Sequence, residues 1–140
     1  MAKTFRCRLI TPTAQVLDEP VSYASIPAWD GLFGVLPNRA PIVAKLGTGE
    51  LRLDFGGEKG GSRSFLVQDG FVQMISNKLT ILATLALPVE TLSEPEAKAE
   101  LAEAEARQAG TGPDREKVRK DRERARTKVR LARKSAGRGI

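Results

Sequence analysis

The chain has 140 residues, a formal net charge of +6, a single cysteine and no histidine. The missing histidine removes His-based catalytic triads and nearly all zinc sites, and one cysteine cannot form an internal disulfide. No run approaches the roughly 18 apolar residues of a membrane span, and the N-terminus has no apolar signal-peptide core. We therefore expect a soluble, intracellular protein whose charge suits an acidic protein, nucleic acid or an anionic membrane surface.

The first half of the chain is typical of short strands separated by turns. Residues 4–10 alternate apolar and polar side chains, which predicts a half-buried strand with Cys7 as a small buried hydrophobe. Turns are predicted at Asp18-Glu19-Pro20 and Asp69-Gly70, and such regular turn signals favour a β-sandwich or barrel. The glycine-rich residues 56–61 lack the order of a phosphate-binding loop and are interpreted as a hairpin loop. The predicted strands cover residues 4–10, 14–17, 21–26, 32–36, 42–46, 50–55, 62–67, 71–75 and 79–84.

Residues 31–41, Gly-Leu-Phe-Gly-Val-Leu-Pro-Asn-Arg-Ala-Pro, form a compact corner between two predicted strands. Asp30-Gly31 is a turn pair, because glycine adopts positive φ without a Cβ clash. Pro37 ends the strand by removing a backbone donor. Asn38 and Arg39 are then the polar tips of the corner, and most such runs are structural hairpin corners without further function.

The pattern changes at Pro88, which divides a predicted sandwich domain (1–88) from a predicted helical hairpin (89–140). Ser93 and Glu96 form a capping box for a helix over about 93–109, and Asp114 can cap a second helix over about 114–134. The glycine and proline at 110–113 end the first helix, so the two helices are predicted to be antiparallel. The apolar stripes are thin and consist mainly of small residues: Ala97, Leu101 and Ala104, then Val118, Ala125, Val129 and Ala132.

Charge is divided unevenly between these segments. Residues 93–109 carry a net charge of −3, residues 114–140 carry +8, and the rest of the chain carries +1. One interpretation is that the helices complement each other and the remaining charge is solvated. The other is a continuous basic face that binds an anionic partner, since like charges at these spacings repel one another. The face is formed by Arg115, Arg119, Arg122, Arg126, Arg130 and Arg133.

The corner resembles the G-x-x-G-[VI]-x-P-x-x-A-P signature of the epsilon subunit of F-type ATP synthases, called delta in mitochondria. Residues 69–83 are similar to the Gly-Phe-Val, turn, Thr-Val-Leu-Ala run of the same family. Leu32 and Arg39 depart from the acidic residue and the histidine often found at those positions. The matching residues of the corner are Gly31, Gly34, Val35, Pro37, Ala40 and Pro41.

The resemblance implies a sandwich of about ten short strands followed by a two-helix hairpin, in a non-catalytic stalk subunit. It implies that the sandwich binds the gamma subunit and rests on the ring of c subunits, with Leu32, Asn38 and Arg39 as contact candidates. It also implies that the six arginines of the second helix dock on the alpha and beta subunits and restrain ATP hydrolysis. The complex would lie at the cytoplasmic face of the plasma membrane, or an equivalent energy-coupling membrane, without direct membrane insertion.

We expect neither a cofactor nor a catalytic site. Some members of the family bind ATP through a hairpin pattern that Ser93 and Glu96 break here, the second with a charge that repels phosphate. A nucleic-acid-binding arm is the main alternative, but aromatics are few, and Phe5, Phe55 and Phe71 are predicted core residues rather than stacking platforms. A membrane-surface helix would need large apolar residues opposite the basic face.

Overall fold

A computed structural model describes residues 4–56, 60–107 and 113–138. Parts of the predicted glycine-rich loop (57–59) and of the predicted helix stop (110–112) lie outside the described residues. The chain divides into two compact units, Met1–Pro88 and Val89–Ile140. The elements of the first unit are β1 (Phe5–Thr11), β2 (Ala14–Val21), β3 (Tyr23–Ala28), β4 (Gly31–Val35), β5 (Ile42–Lys45), β6 (Thr48–Asp54), β7 (Ser62–Ile75) and β8 (Lys78–Pro88). The second unit contains a 3₁₀ turn (Val89–Thr91), α1 (Glu94–Ala106) and α2 (Pro113–Arg138).

Two predicted turns lie within strands of the structure. Only Asp69-Gly70 joins two predicted strands into one, so the described part of the sandwich has eight strands where the residue pattern predicts nine. Asp18-Glu19-Pro20 lies within β2, which stands at one end of the strand order. Proline is tolerated in such an edge strand because its missing N–H removes no ladder bond from a central partner. Asp69-Gly70 lies inside β7, whose register with β8 is the same on both sides of it.

The long strands β7 and β8 join the two layers of the sandwich. The first part of β7 pairs with β6, which continues to β3 and β4, whereas its last part pairs with β5. The early part of β8 pairs in parallel with β1, which pairs with β2. Gly70 lies between these two parts of β7 with a φ of 127°, and a Cβ there would collide with the carbonyl oxygen of Leu82.

The alternating side chains fill the space between these layers. Phe5, Cys7 and Leu9 of β1 are buried, as are Leu51 and Leu53 of β6, in agreement with the alternation of the sequence. Burial raises the pKa of the Cys7 thiol to about 12, so this cysteine stays protonated and packs as an apolar side chain.

The second unit is a hairpin of α1 and α2. The Ser93 side chain accepts a hydrogen bond from the Glu96 amide at 3.5 Å and caps α1. Ala97 and Ala104 of α1 are buried, as are Val118, Ala125, Val129 and Ala132 of α2. Compared with the predicted bounds, α1 ends three residues earlier and α2 continues to Arg138, with Asp114 in its first turn.

Candidate functional site

The corner residues singled out from the sequence lie at two different places. Trp29 and Asp30 form the two-residue turn between β3 and β4, where Ala28 pairs with Gly31. Leu32 follows this turn opposite Pro27, and 71% of its surface is exposed. Asn38 and Arg39 come after the far end of β4. The structure therefore brings Asn38 and Arg39 together, whereas Leu32 lies near the exposed Trp29 at the turn between β3 and β4.

Asn38 is bonded to a second turn of the sandwich. The Arg39 amide donates to the Leu36 carbonyl at 3.3 Å, and Pro37 followed by Asn38 with a φ of 67° is the arrangement of a type II turn. The backbone N–H of Asn38 donates to Oδ1 of Asn77 at 2.6 Å, and Nδ2 of Asn77 donates to Oδ1 of Asn38 at 2.9 Å. We call this pair of bonds the Asn clasp. It joins the corner to the Ser76-Asn77 turn between β7 and β8.

A large surface that the sequence reasoning missed is the outer face of β5, β7, β8 and β1. Phe71 pairs with Leu82, and both point away from the core, with 58% and 49% of their surfaces exposed. Val43 and Ile75 are exposed on the same side, because paired and alternate residues of a sheet share a face. We call Val43, Phe71, Ile75 and Leu82 the apolar face.

The prediction that Phe71 belongs to the core is therefore wrong. Residues 71–75 are apolar on both alternating sets except for Gln73, which shares a face with Phe71. Gln73 indicates that the set containing Phe71 faces solvent, since a core-facing set rarely contains an unpaired side-chain amide. Val72 and Met74 are the buried set.

Basic side chains surround the apolar face. Lys45 pairs with Phe71 across the ladder, and Lys78 pairs with Ile75. Arg6 and Arg8 lie on the same side of β1, opposite Lys78 and Thr80 of β8. The Arg6 guanidinium donates to Asp18 at 2.5 Å, which holds the pKa of that carboxyl below its usual range. The surface thus combines exposed apolar side chains with a mostly cationic rim.

The six arginines of the predicted basic face differ in their contacts within the hairpin. Arg126 and Arg133 reach carboxylates of α1, Glu105 at 3.7 Å and Glu94 at 2.7 Å. Arg119 pairs within α2, with Glu116 and Glu123. In the parts of the chain that the structure describes, Arg115 and Arg130 are exposed and form no ion pair.

Arg122 has a different contact, because it caps the C-terminal end of α1. Its Nε donates to the Ala104 carbonyl at 3.0 Å, and its Nη2 donates to the Arg107 carbonyl at 2.6 Å. A longer bond from Nη2 reaches the Glu105 carbonyl at 3.4 Å. The last carbonyls of a helix have no partners within it and carry partial negative charge, so a guanidinium from the next helix is a favourable partner.

A second group of charges links the same helices. Asp121 is mostly buried and pairs with Arg107 at 3.0 Å and with Arg124 at 3.1 Å. Glu100 of α1 accepts from Lys128 at 2.8 Å and from Arg124 at 3.3 Å. Partial burial alone would raise the pKa of Glu100, but Lys128 and Arg124 outweigh this effect, so the pKa is lowered. The neighbouring Arg133 and Lys98 likewise lower the pKa of Glu94.

The described residues contain no cluster of three or more His, Cys, Asp or Glu side chains that could hold a metal. The Ser93 hydroxyl is engaged by the helix cap. No helix within the described ranges has a segment that is both long and apolar enough to cross a bilayer.

The structure is a β-sandwich with an exposed apolar face, followed by a helical hairpin, and comparison with known proteins gives the family. The family described as "ATP synthase, Delta/Epsilon chain, beta-sandwich domain" matches residues 4–89. The ATP synthase epsilon chain of Rhodopirellula baltica is 36% identical over 101 residues, 72% of this chain and 77% of that one. The epsilon chain of Pelotomaculum thermopropionicum is 36% identical over 107 residues, 76% of this chain and 78% of its own.

Two solved structures share the fold. A chain of the Euglena gracilis mitochondrial ATP synthase OSCP/F1/c-ring structure has a TM-score of 0.78 at 22% identity, covering 95% of this chain and 81% of its own. A chain of the Tetrahymena thermophila central stalk/c-ring structure has a TM-score of 0.64 at 20% identity, with 95% and 96% covered.

The chain belongs to the delta/epsilon family of ATP synthase subunits. This confirms the resemblance seen in the corner motif and the predicted sandwich with a helical hairpin. An epsilon chain is a non-catalytic accessory subunit of the rotary complex.

Proposed function

We propose that this chain is a central-stalk subunit of the F1 part of a proton-translocating ATP synthase. Its sandwich couples the gamma subunit and the c ring to the catalytic head, and its hairpin restrains ATP hydrolysis. The observation that carries the stalk role is the apolar face with its cationic rim, in a chain of the delta/epsilon family. The complex would lie at the cytoplasmic face of the plasma membrane or an equivalent membrane.

The apolar face supports docking on a large protein partner. Four large apolar side chains are exposed on one sheet face, and Phe71 and Leu82 are in direct register, so much of this face presents apolar surface to water. Such patches on soluble proteins mark interaction sites, because covering them removes apolar surface from water. The cationic rim favours a partner with acidic residues around an apolar centre. We assign this face to gamma.

The ends of the sandwich support a separate contact with the c ring. Asn38 and Arg39 are exposed beside the Asn clasp, and Leu32 is exposed beside Trp29. These side chains do not belong to the apolar face. A subunit that contacts both gamma and the ring needs two contact surfaces, and we assign Leu32, Asn38 and Arg39 to the ring.

Binding to F1 without the c ring separates these assignments. Phe71→Glu and Leu82→Glu should abolish co-purification of the chain with gamma, alpha and beta, because each places a charge in the centre of the patch. Trp29→Glu is the matched control, since Trp29 is 70% exposed and lies outside the patch. Retained binding of both face variants would contradict the gamma assignment. Failure of the unaltered chain to bind would contradict the stalk role itself.

The hairpin supports a regulatory role through its arginines. In the closed hairpin Arg122, Arg126 and Arg133 are engaged by α1. Separation of the helices would release them to join Arg115 and Arg130 in binding carboxylates of alpha and beta by charge-assisted hydrogen bonds. Closed and extended hairpins would then be two states whose populations depend on which partner binds each better.

ATP hydrolysis by the reconstituted complex tests this role. Arg115→Ala combined with Arg130→Ala should raise hydrolysis, because these arginines act in docking without holding the hairpin closed. A chain ending at Pro88 should still bind the complex and also release hydrolysis, provided that residues 1–88 fold as a domain. Glu103→Ala, on the exposed side of α1, is the control. Unchanged hydrolysis in both variants would remove the inhibitory role and leave the stalk role.

A further inference from the structure

The two asparagines of this chain, Asn38 and Asn77, occupy the same unusual backbone conformation. Their φ angles are 67° and 59°, in the left-handed region that side chains other than glycine rarely adopt. Asparagine tolerates this region better than most residues, but glycine has no such penalty. What asparagine adds over glycine at these positions is its side chain, and in both cases the side chain forms the Asn clasp.

The clasp restricts orientation more than it stabilises the fold. Both bonds are exposed to solvent and join residues 39 positions apart. Water could satisfy the same donors and acceptors, so an exposed hydrogen bond contributes little net free energy of folding. Two antiparallel bonds between two turns nevertheless fix how one turn sits against the other.

The fixed turns present side chains that are suited to docking. Leu36 and Arg39 flank the corner turn, and Ile75 and Lys78 flank the Ser76-Asn77 turn. We call these four residues the clasp surface, which shares Ile75 with the apolar face and Lys78 with its cationic rim. Leu36 is 60% exposed and Ile75 is 47% exposed, and Arg39 and Lys78 are exposed cations. Two apolar side chains beside two cations, with no carboxylate among them, fit a protein loop that carries an apolar residue next to carboxylates.

We propose that Asn38 and Asn77 are positioning residues, whose clasp aligns the clasp surface for binding an acidic loop of a partner subunit. This rests on the proposed function, in which the corner contacts the ring. Without the clasp, the corner turn and the neighbouring turn sample more relative orientations, and binding must first order them. The loss therefore falls on affinity and on the association rate, whereas the sandwich itself stays folded.

Glycine substitutions test the clasp without straining the backbone. Asn38→Gly and Asn77→Gly keep positive φ accessible and remove only the side-chain bonds. Each should weaken binding to complete synthase depleted of this subunit by about tenfold, with an unchanged Tm of the isolated chain. The double variant should bind no more weakly than either single variant, because one substitution already breaks the clasp. Ser76→Gly is the matched control, since Ser76 has a φ of 49° in the same turn but takes no part in the clasp.

A second substitution keeps the side chain of residue 77 but changes its hydrogen-bonding atoms. Asn77→Asp keeps the acceptor for the Asn38 amide but replaces the donor to Oδ1 of Asn38 with an oxygen. Binding should fall in this variant too, and hydrogen exchange at the Asn38 amide should stay slower than in Asn77→Gly.

Three results would overturn the inference. The first is that both glycine variants bind with the affinity of the unaltered chain. The second is a Tm that falls together with the affinity, because the clasp would then only stabilise the fold. The third is clasp-dependent binding of the chain to vesicles of anionic lipid, which would replace the protein loop by a membrane surface. If the unaltered chain does not bind the depleted synthase at all, the proposed function fails and this inference fails with it.

Discussion

Different interactions stabilise the sandwich and the hairpin internally. The sandwich buries large side chains completely, among them Phe5, Phe65 and Met74. The hairpin buries mainly alanine and valine, and its helices are linked by ion pairs and by the arginine cap of α1. Burial of a large apolar side chain stabilises a fold by about 1.5–3 kcal/mol, whereas an exposed ion pair contributes about 0–1 kcal/mol.

This difference suits the two roles that we propose. A unit held by its apolar core keeps one shape over a wide range of pH and salt, as a part that transmits torque requires. A unit held by small residues and charges can open at low cost, because water and other carboxylates can replace its ion pairs. Experiments that perturb one unit and leave the other unchanged can test this contrast.

The largest effect is expected in the sandwich, for Gly70→Ala. The added Cβ would meet the Leu82 carbonyl in a backbone conformation with a φ of 127°. We expect a loss of about 3 kcal/mol or more in the free energy of unfolding, from strain and collision combined. Chemical denaturation followed by tryptophan fluorescence measures it.

The control for this substitution is Gly31→Ala. Gly31 has a similar φ of 135°, but a Cβ there would meet nothing within 4 Å. The difference between the two variants isolates the close approach of β7 to β8. Equal destabilisation of both variants would show that the backbone at Leu82 yields to a side chain at Gly70, so that the positive φ alone accounts for the loss.

Local sequence patterns predict the sandwich well where one face is buried and the other is wet. The alternation around Leu51 and Leu53 gave their burial directly. It failed at Phe71, because both alternating sets of this segment are mainly apolar and an exposed apolar set has the same residue types as a core set. It also failed at Asp69-Gly70, since the same dipeptide serves a turn or a bend within a strand, and only the register with β8 distinguishes them.

The hairpin was predictable in its elements but not in its contacts. Ser93 as the cap of α1 and the small-residue stripes follow from local spacing. Which arginines face α1 depends on the rotation and offset of the two helices, and no local period encodes these. The three-way contact of Arg122 with backbone carbonyls is of this kind, because a carbonyl leaves no trace in the amino-acid type.

A smaller effect is expected in the hairpin, for Arg122→Ala. The variant leaves the last carbonyls of α1 without the guanidinium that caps them. We expect the hairpin to lose about 1–2 kcal/mol of stability, since these are charge-assisted bonds at a partly exposed site. Hydrogen exchange in α1 should accelerate, whereas exchange in the strands of the sandwich should stay the same.

Arg130→Ala is the matched control in the same helix. Arg130 is exposed and forms no ion pair within the described residues, so its removal should leave α1 exchange unchanged. Equal acceleration by the two variants would mean that total charge, and not the cap, governs the hairpin. Accelerated exchange in the sandwich would contradict the expectation that the cap stabilises the hairpin alone.

The smallest effect is expected from acidification, and it should also distinguish the hairpin from the sandwich. The pKa of Glu100 is lower in the folded hairpin than its ordinary value, because Lys128 and Arg124 outweigh the effect of burial. A carboxyl with a lowered pKa stabilises the fold above its unfolded pKa, about 4.3 for glutamate, and that stability is lost as pH falls through the folded pKa. The hairpin should therefore lose part of its stability on acidification below about pH 4, which far-UV circular dichroism and hydrogen exchange in α1 can follow.

Glu100→Gln isolates this carboxyl from the other acids. At neutral pH the variant should have a less stable hairpin than the unaltered chain, because its amide cannot pair with Lys128 and Arg124 as a charge. In acid the two should converge, since protonation has removed the same charge from the unaltered chain. Glu103→Gln should follow the unaltered chain throughout, because Glu103 is exposed and makes no ion pair among the described residues. A constant difference between the Glu100 variant and the unaltered chain across the acid range would mean that Glu100 acts through packing, and the hairpin would then resemble the sandwich more than its charges suggest.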